Sequence, residues 1–79
     1  MDKLSTTIVS TSIQGVINII YLDKGFGFIR RNRGKDIFFL ISDLPDNTNI
    51  VIGTNVIFDI HNEKYQHKSK LRAFNIKIK

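Results

Sequence analysis

Seventy-nine residues with no cysteine and a formal net charge of +5 describe one small basic domain, without a disulfide framework, a thiolate metal site or a catalytic thiol. A chain this short buries only about 60% of its unfolded surface, which favours a flat or grooved binding face over an enclosed active site. Apolar runs such as that from Ile37 to Ile41 fall far short of the roughly 20 residues of a membrane span, so no membrane association is expected and the lack of cysteine suits the cytoplasm.

Ile, Val and Thr make up 23 of the 79 residues, whereas Ala and Glu occur once each, so the composition favours strands over helices. Residues 1–11 have no apolar core flanked by positive charge and read as a flexible N-terminal tail, leaving residues 12–79 as the folded domain. Ser12 to Leu22 is β-branched and apolar and predicts a first strand, bent near Gly15. Asp23, Lys24 and Gly25 form a turn signal.

Phe26 to Arg30 then alternates as a second strand, with Phe26, Phe28 and Arg30 on one face. After a basic turn from Arg31 to Lys35, a third strand from Asp36 to Ile41 sets Ile37 and Phe39 against Phe38 and Leu40. If Ile29, Ile37 and Phe39 enter the core, Phe26, Phe28 and Phe38 are left facing solvent together.

Leu44 to Thr54 reads as a long connection, loop by composition from Pro45 to Asn49, with an apolar plug from Ile50 to Ile52 that caps the core. A fourth strand runs from Thr54 to Ile60, with Val56, Phe58 and Ile60 inward. A polar loop from His61 to Ser69 leads to a fifth strand from Leu71 to Ile78. Five short strands without an amphipathic helix predict an all-β, five-stranded antiparallel barrel of the oligonucleotide-binding (OB) type, closure removing the edges of an open sheet.

Charge is unevenly distributed. Residues 24–35 hold five cations and no acid (Lys24, Arg30, Arg31, Arg33, Lys35), residues 36–63 hold five acids and no Lys or Arg, and residues 64–79 hold six cations. Two basic blocks meeting on one barrel face would form a track for a polyanion. Exposed rings beside Lys24 and Arg30 suit nucleobases, since stacking on an aromatic ring is worth about 1–3 kcal/mol per base whatever the sequence.

The run Lys24-Gly25-Phe26-Gly27-Phe28-Ile29 resembles the first ribonucleoprotein motif of the cold shock domain family, and Asp36 to Ile41 resembles the second. Gly15, Ser42, Gly53, Ala73 and Asn75-Ile76 extend the likeness from Gly15 to Lys77. The resemblance implies a barrel that binds single-stranded RNA or DNA, as an RNA chaperone or antiterminator in the cytoplasm. It further implies a stacking platform of Phe26, Phe28 and Phe38 with Lys24 as a phosphate contact.

The chain is a divergent member by this reading. Ile19 and Asn18 stand where the family has tryptophan and lysine, and Leu40 and Ile41 replace the second motif's histidine and last phenylalanine. The residues from Asn47 to Ile50 hold no aromatic where the family's long loop has one. Leu40 and Ile19 would then offer bases apolar contact without ring stacking, and the extra arginines would shift affinity toward phosphate attraction.

The nucleic-acid-binding residues expected from the sequence are therefore Lys24, Phe26, Phe28, Arg30, Phe38, Leu40 and Ile19. No catalytic residues, metal or cofactor are expected: there is no nucleophile and base pair, and His61, Glu63 and His67 read as loop residues rather than ligands. Tyr21 and Tyr65 are lesser candidates for ligand contact. A monomer is expected. The competing reading is a protein-interaction barrel whose aliphatic patch of Ile19, Ile20, Leu40 and Ile41 receives a polypeptide or a second copy.

Overall fold

The computed structural model describes residues 5–45 and 50–79. Five strands close into a barrel in the order β1-β2-β3-β5-β4, with β1 at Ser5–Tyr21, β2 at Phe26–Arg31, β3 at Ile37–Leu40, β4 at Asn55–Tyr65 and β5 at Lys68–Ile78. Among the described residues the only helical element is the 3-10 turn Ile41–Asp43. The expected all-β OB-type barrel is therefore present, with one difference in pairing. β3 meets β5 in parallel, through Phe38 opposite Arg72, and every other pair of neighbours is antiparallel.

Strand alternation fills the core. Ile17, Ile29, Ile37, Phe39, Val56, Phe58, Ile60, Ala73 and Ile76 are buried, and among the described residues no polar side chain is buried with them. Gly27 is the point of closest approach. A Cβ there would strike the Ile19 carbonyl oxygen and lie 2.7 Å from Cζ of Phe39, so only glycine lets β1 and the Phe39 ring close over β2. Gly15 has the same role where β1 crosses the core, its position 2.6 Å from the Arg30 carbonyl and 2.9 Å from the Phe58 ring when given a Cβ.

Four expectations are corrected in detail. The segment assigned to a tail is strand from Ser5 onward: Ser5 to Ile8 pair with Lys64 to His61 of β4, while Met1 to Leu4 lie outside the described residues. The stretch from His61 to Ser69, read as a loop, is instead the end of β4, a tight turn with Gln66 at φ 57°, and the start of β5. Its residues carry no apolar alternation, because this end of the hairpin projects beyond the core.

The apolar plug is reduced to Ile50, which packs on the core, whereas Val51 and Ile52 are 61% and 62% exposed. Backbone bonds hold this connection instead. The Gly53 N–H donates to the Ile17 carbonyl at 2.8 Å and the Ile17 N–H to the Thr54 carbonyl at 2.9 Å, which continues the pairing of β1 with β4 one residue beyond Val16 and Asn55. Residues 46–49, within the expected loop, lie outside the described residues.

The bend in β1 falls at Ser12 rather than Gly15. Ser12 has φ 54° and sits in a register shift between Ser10 and Ile13. Asp59 fastens this bend: one carboxylate oxygen accepts the Ser12 N–H at 2.9 Å and the other accepts the Asn75 side-chain amide at 3.2 Å, Asn75 itself having φ 53°. One side chain on β4 thus stabilises left-handed residues on both neighbouring strands.

The Ser12 bond, then the Asn75 bond, with smaller contributions from the charges of Lys77 and His61, hold the Asp59 carboxyl below its ordinary 3.8. A carboxyl with a depressed folded pKa contributes stability that is complete above its unfolded pKa and disappears as pH falls through the folded value. Asp59→Ala is accordingly expected to be less stable than the native chain at pH 6, with the gap narrowing as pH falls below about 4. Urea unfolding at a series of pH values measures this, and a gap that does not change with pH contradicts it.

Candidate nucleic-acid interface

Register places the aromatic residues in two rows across the outer face of β1, β2 and β3. Tyr21, Phe26 and Leu40 lie opposite one another in one row, and Ile19, Phe28 and Phe38 in the next, which continues to Arg72 on β5. The side-chain period of two then settles the faces. Ile29, Ile37 and Phe39 point inward and are buried, so Phe26, Phe28 and Phe38 point outward and stay partly exposed.

The outward rings touch one another. Ring centroids are 5.4 Å apart for Phe26 and Phe38, 6.0 Å for Phe26 and Phe28, and 6.0 Å for Phe28 and Phe38, with the two Phe28 contacts close to edge-on. Tyr21 joins them at 5.2 Å from Phe26, so the cluster has four rings. Mutual packing of this kind restricts the rings to one arrangement.

Cations flank the cluster from both basic blocks. Lys24 Nζ lies 5.5 Å from the Tyr21 ring centre and Lys70 Nζ lies 3.6 Å from that of Phe38. Lys70 belongs to the second block, so one lysine from each block flanks the rings. Sequence reasoning missed Lys70 because its relation to Phe38 arises only where β3 and β5 come together. Register offers the one available signal, since Lys70 is two residues from Arg72, the partner of Phe38.

Arg30 is exposed on the platform side but tied. Its guanidinium donates to Asn18 Oδ1 at 2.9 Å, and the Asn18 amide donates to Asp36 at 2.7 Å, a chain that spans β1, β2 and the start of β3. The rest of the expected track diverges. Arg31 follows Arg30 onto the other face, donates to the Lys35 carbonyl at 2.9 Å, and lines a shallow cleft with Ser12, Gln14 and Arg33 at the bend of β1.

Arg72 serves the fold. It donates to Asp43 at 2.7 Å and to Glu63 at 2.8 Å, tying the 3-10 turn and β4 to β5. Burial disfavours the cation, yet the hydrogen bonds and charge of Asp43 and Glu63 outweigh that and raise its pKa. Arg72→Met leaves two carboxylates without their shared donor and is expected to cost about 1–3 kcal/mol of stability in urea unfolding.

The aliphatic patch proposed as a protein-binding face is divided. Ile20 and Ile41 pack against the core, and only Ile19 and Leu40 remain beside the rings. His61 is not in a loop: it lies on β4, stacked on Phe74. Among the described residues no group of three or more His, Asp or Glu side chains is placed to hold a metal ion.

A closed five-stranded barrel with a cluster of rings and lysines on its outer face belongs to the class of single-domain oligonucleotide-binding barrels. The sequence model described as 'Cold-shock' DNA-binding domain matches residues 13–78, and the chain belongs to that family of nucleic-acid-binding domains, which is not a family of enzymes. No curated protein matches the chain.

Proposed function

We propose that the protein binds single-stranded RNA or DNA on the outer face of β1, β2 and β3, as an RNA chaperone or antiterminator would in the cytoplasm. The observation that carries this reading is the packed cluster of Phe26, Phe28 and Phe38, three large apolar rings left partly exposed together on one outer face. Bases stack on these rings, Ile19 and Leu40 add apolar contact at either side, and Lys24 and Arg30 contact phosphates.

Lys70 takes part differently from Lys24. It sits over the Phe38 ring, so a base stacking there displaces the ammonium, which then lies beside the strand and can meet a phosphate. Divided stacking of this kind suits transient, sequence-tolerant binding, because each base contributes a similar increment and no base edge is read.

The test is a titration of a fluorescent pyrimidine-rich single strand at two or more salt concentrations. Binding should weaken with salt, with a log–log slope near −0.7 for each phosphate neutralised, so that three lysine or arginine contacts give a slope of about −2. A Lys24→Gln variant should lose affinity and reduce the slope by about 0.7. Failure of the native protein to bind any single strand overturns the proposal, and a slope unaffected by Lys24→Gln removes that residue from the interface.

A further inference from the structure

We propose that the first half of β1 is a self-association edge, at which two copies of this chain pair antiparallel through Ser5 to Ser10. The family match begins at residue 13, so this segment is an addition to the common barrel. It lies in a three-stranded ribbon beyond the core, paired with β4 on one side only. β2 does not begin to pair with β1 until Gly15, and among the described residues no strand covers the other edge of Ser5 to Ser10.

On such an edge every second residue directs its N–H and C=O outward. Charge and proline, two of the usual protections against pairing, are missing from this one. No charged residue occurs between Lys3 and Asp23, no proline interrupts the strand, and Ile8 and Val9 are 61% and 51% exposed. The register shift between Ile8 and Ser10 limits the regular stretch to Ser5 to Ile8, which keeps the interface small and the pairing concentration-dependent.

Charge selects the occupant. The opposite edge of the ribbon is β5, which carries Lys68 and Lys70 and repels a second copy of a +5 chain. An acidic polypeptide would be drawn to that edge. The neutral edge is where two like-charged copies approach without bringing cations together, and a two-fold axis sets Ser5 to Ser10 against its own reversed copy, as an isologous pair requires.

Sedimentation equilibrium over about a hundredfold range of concentration tests this at ~0.15 M salt, where the Debye length is about 8 Å. The native mass should rise from 9.1 kDa toward twice that value. Ile8→Lys with Val9→Lys should remain at 9.1 kDa over the same range. Thr6→Lys serves as a second variant: it lies opposite Glu63 of β4, so its own fold gains an opposite-charge pair, whereas in the dimer the new cation meets Val9 of the second copy, and a lysine on an edge strand opposes pairing. It too should stay monomeric, with an unchanged far-UV circular dichroism spectrum.

A native chain that stays at 9.1 kDa throughout overturns the proposal, including the case in which this edge accepts some other polypeptide. Continued doubling of the mass in folded Thr6→Lys overturns it as well, and places the contact elsewhere on the barrel.

Discussion

Phe39→Ala is expected to destabilise the barrel by about 3–5 kcal/mol, a large part of the 5–15 kcal/mol that holds most small domains together. The Phe39 ring is fully buried on β3 between Gly27 on β2 and the rest of the core, and β3 has only four residues with which to anchor its side of the closure. Truncation removes the transfer free energy of the ring and leaves a cavity in a wall too short to collapse inward. Urea unfolding measures the loss, and a value under about 1 kcal/mol contradicts the assignment of Phe39 as the central packing residue.

Gly27→Ala reaches the same contact from the other side. The new methyl meets the Phe39 ring and the Ile19 carbonyl together, and overpacking of this kind costs about 1–3 kcal/mol. Because Phe39→Leu withdraws Cζ, the double variant should be more stable than the sum of the two single losses predicts. The Ile19 carbonyl is backbone and stays in place, so the rescue is partial. Exact additivity would show that Gly27 and Phe39 do not share this constraint.

Alternation sorted the residues of β2 and β3 into two faces, but Ile37 to Leu40 is apolar throughout, so which face enters the core is settled only by the closed barrel, where Ile29, Ile37 and Phe39 are buried. The first half of β1 was not legible for the complementary reason. Ser5, Thr6 and Thr7 are β-branched or small polar residues without an apolar stripe, and they become strand only because β4 is long enough to pair with them. The end of β4 was hidden in turn by the same lack of a buried face. Each of the two segments supplies the other's reason to be extended, a mutual dependence that no local window contains.

The site divides along the same line. Phe26, Phe28 and Phe38 share a face by strand period, whereas Lys70 and the Asp59 clamp depend on which strands close the barrel. The basic track shows the limit of charge counting. Arg30 and Arg31 are neighbours in sequence and cations alike, yet pleating sends them to opposite faces, so a run of positive charge overstated the number of cations beside the rings.

Replacing Phe28 and Phe38 together with alanine is expected to weaken binding of a pyrimidine-rich single strand by about 2–6 kcal/mol, at 1–3 kcal/mol for each lost stack, without unfolding the protein. Both rings stand on the outer face and neither belongs to the core, so the stability change should be much smaller than that of Phe39→Ala. The single variants should differ. Among the described residues no cation lies over Phe28, whereas a base stacking on Phe38 would first have to move Lys70, so Phe28→Ala should cost more affinity than Phe38→Ala. Lys70→Ala separates the two roles of that lysine: it frees the Phe38 face for stacking while removing a cation, so binding should become weaker at low salt and comparatively stronger at high salt, where the phosphate attraction is already screened. Affinity that is unchanged in a folded Phe28→Ala/Phe38→Ala variant removes the rings from the interface and leaves phosphate attraction as the sole basis of binding. Affinity lost together with the folded structure would instead show that the outer cluster of Tyr21, Phe26, Phe28 and Phe38 is a second packing layer of the barrel, held by ring-to-ring contact.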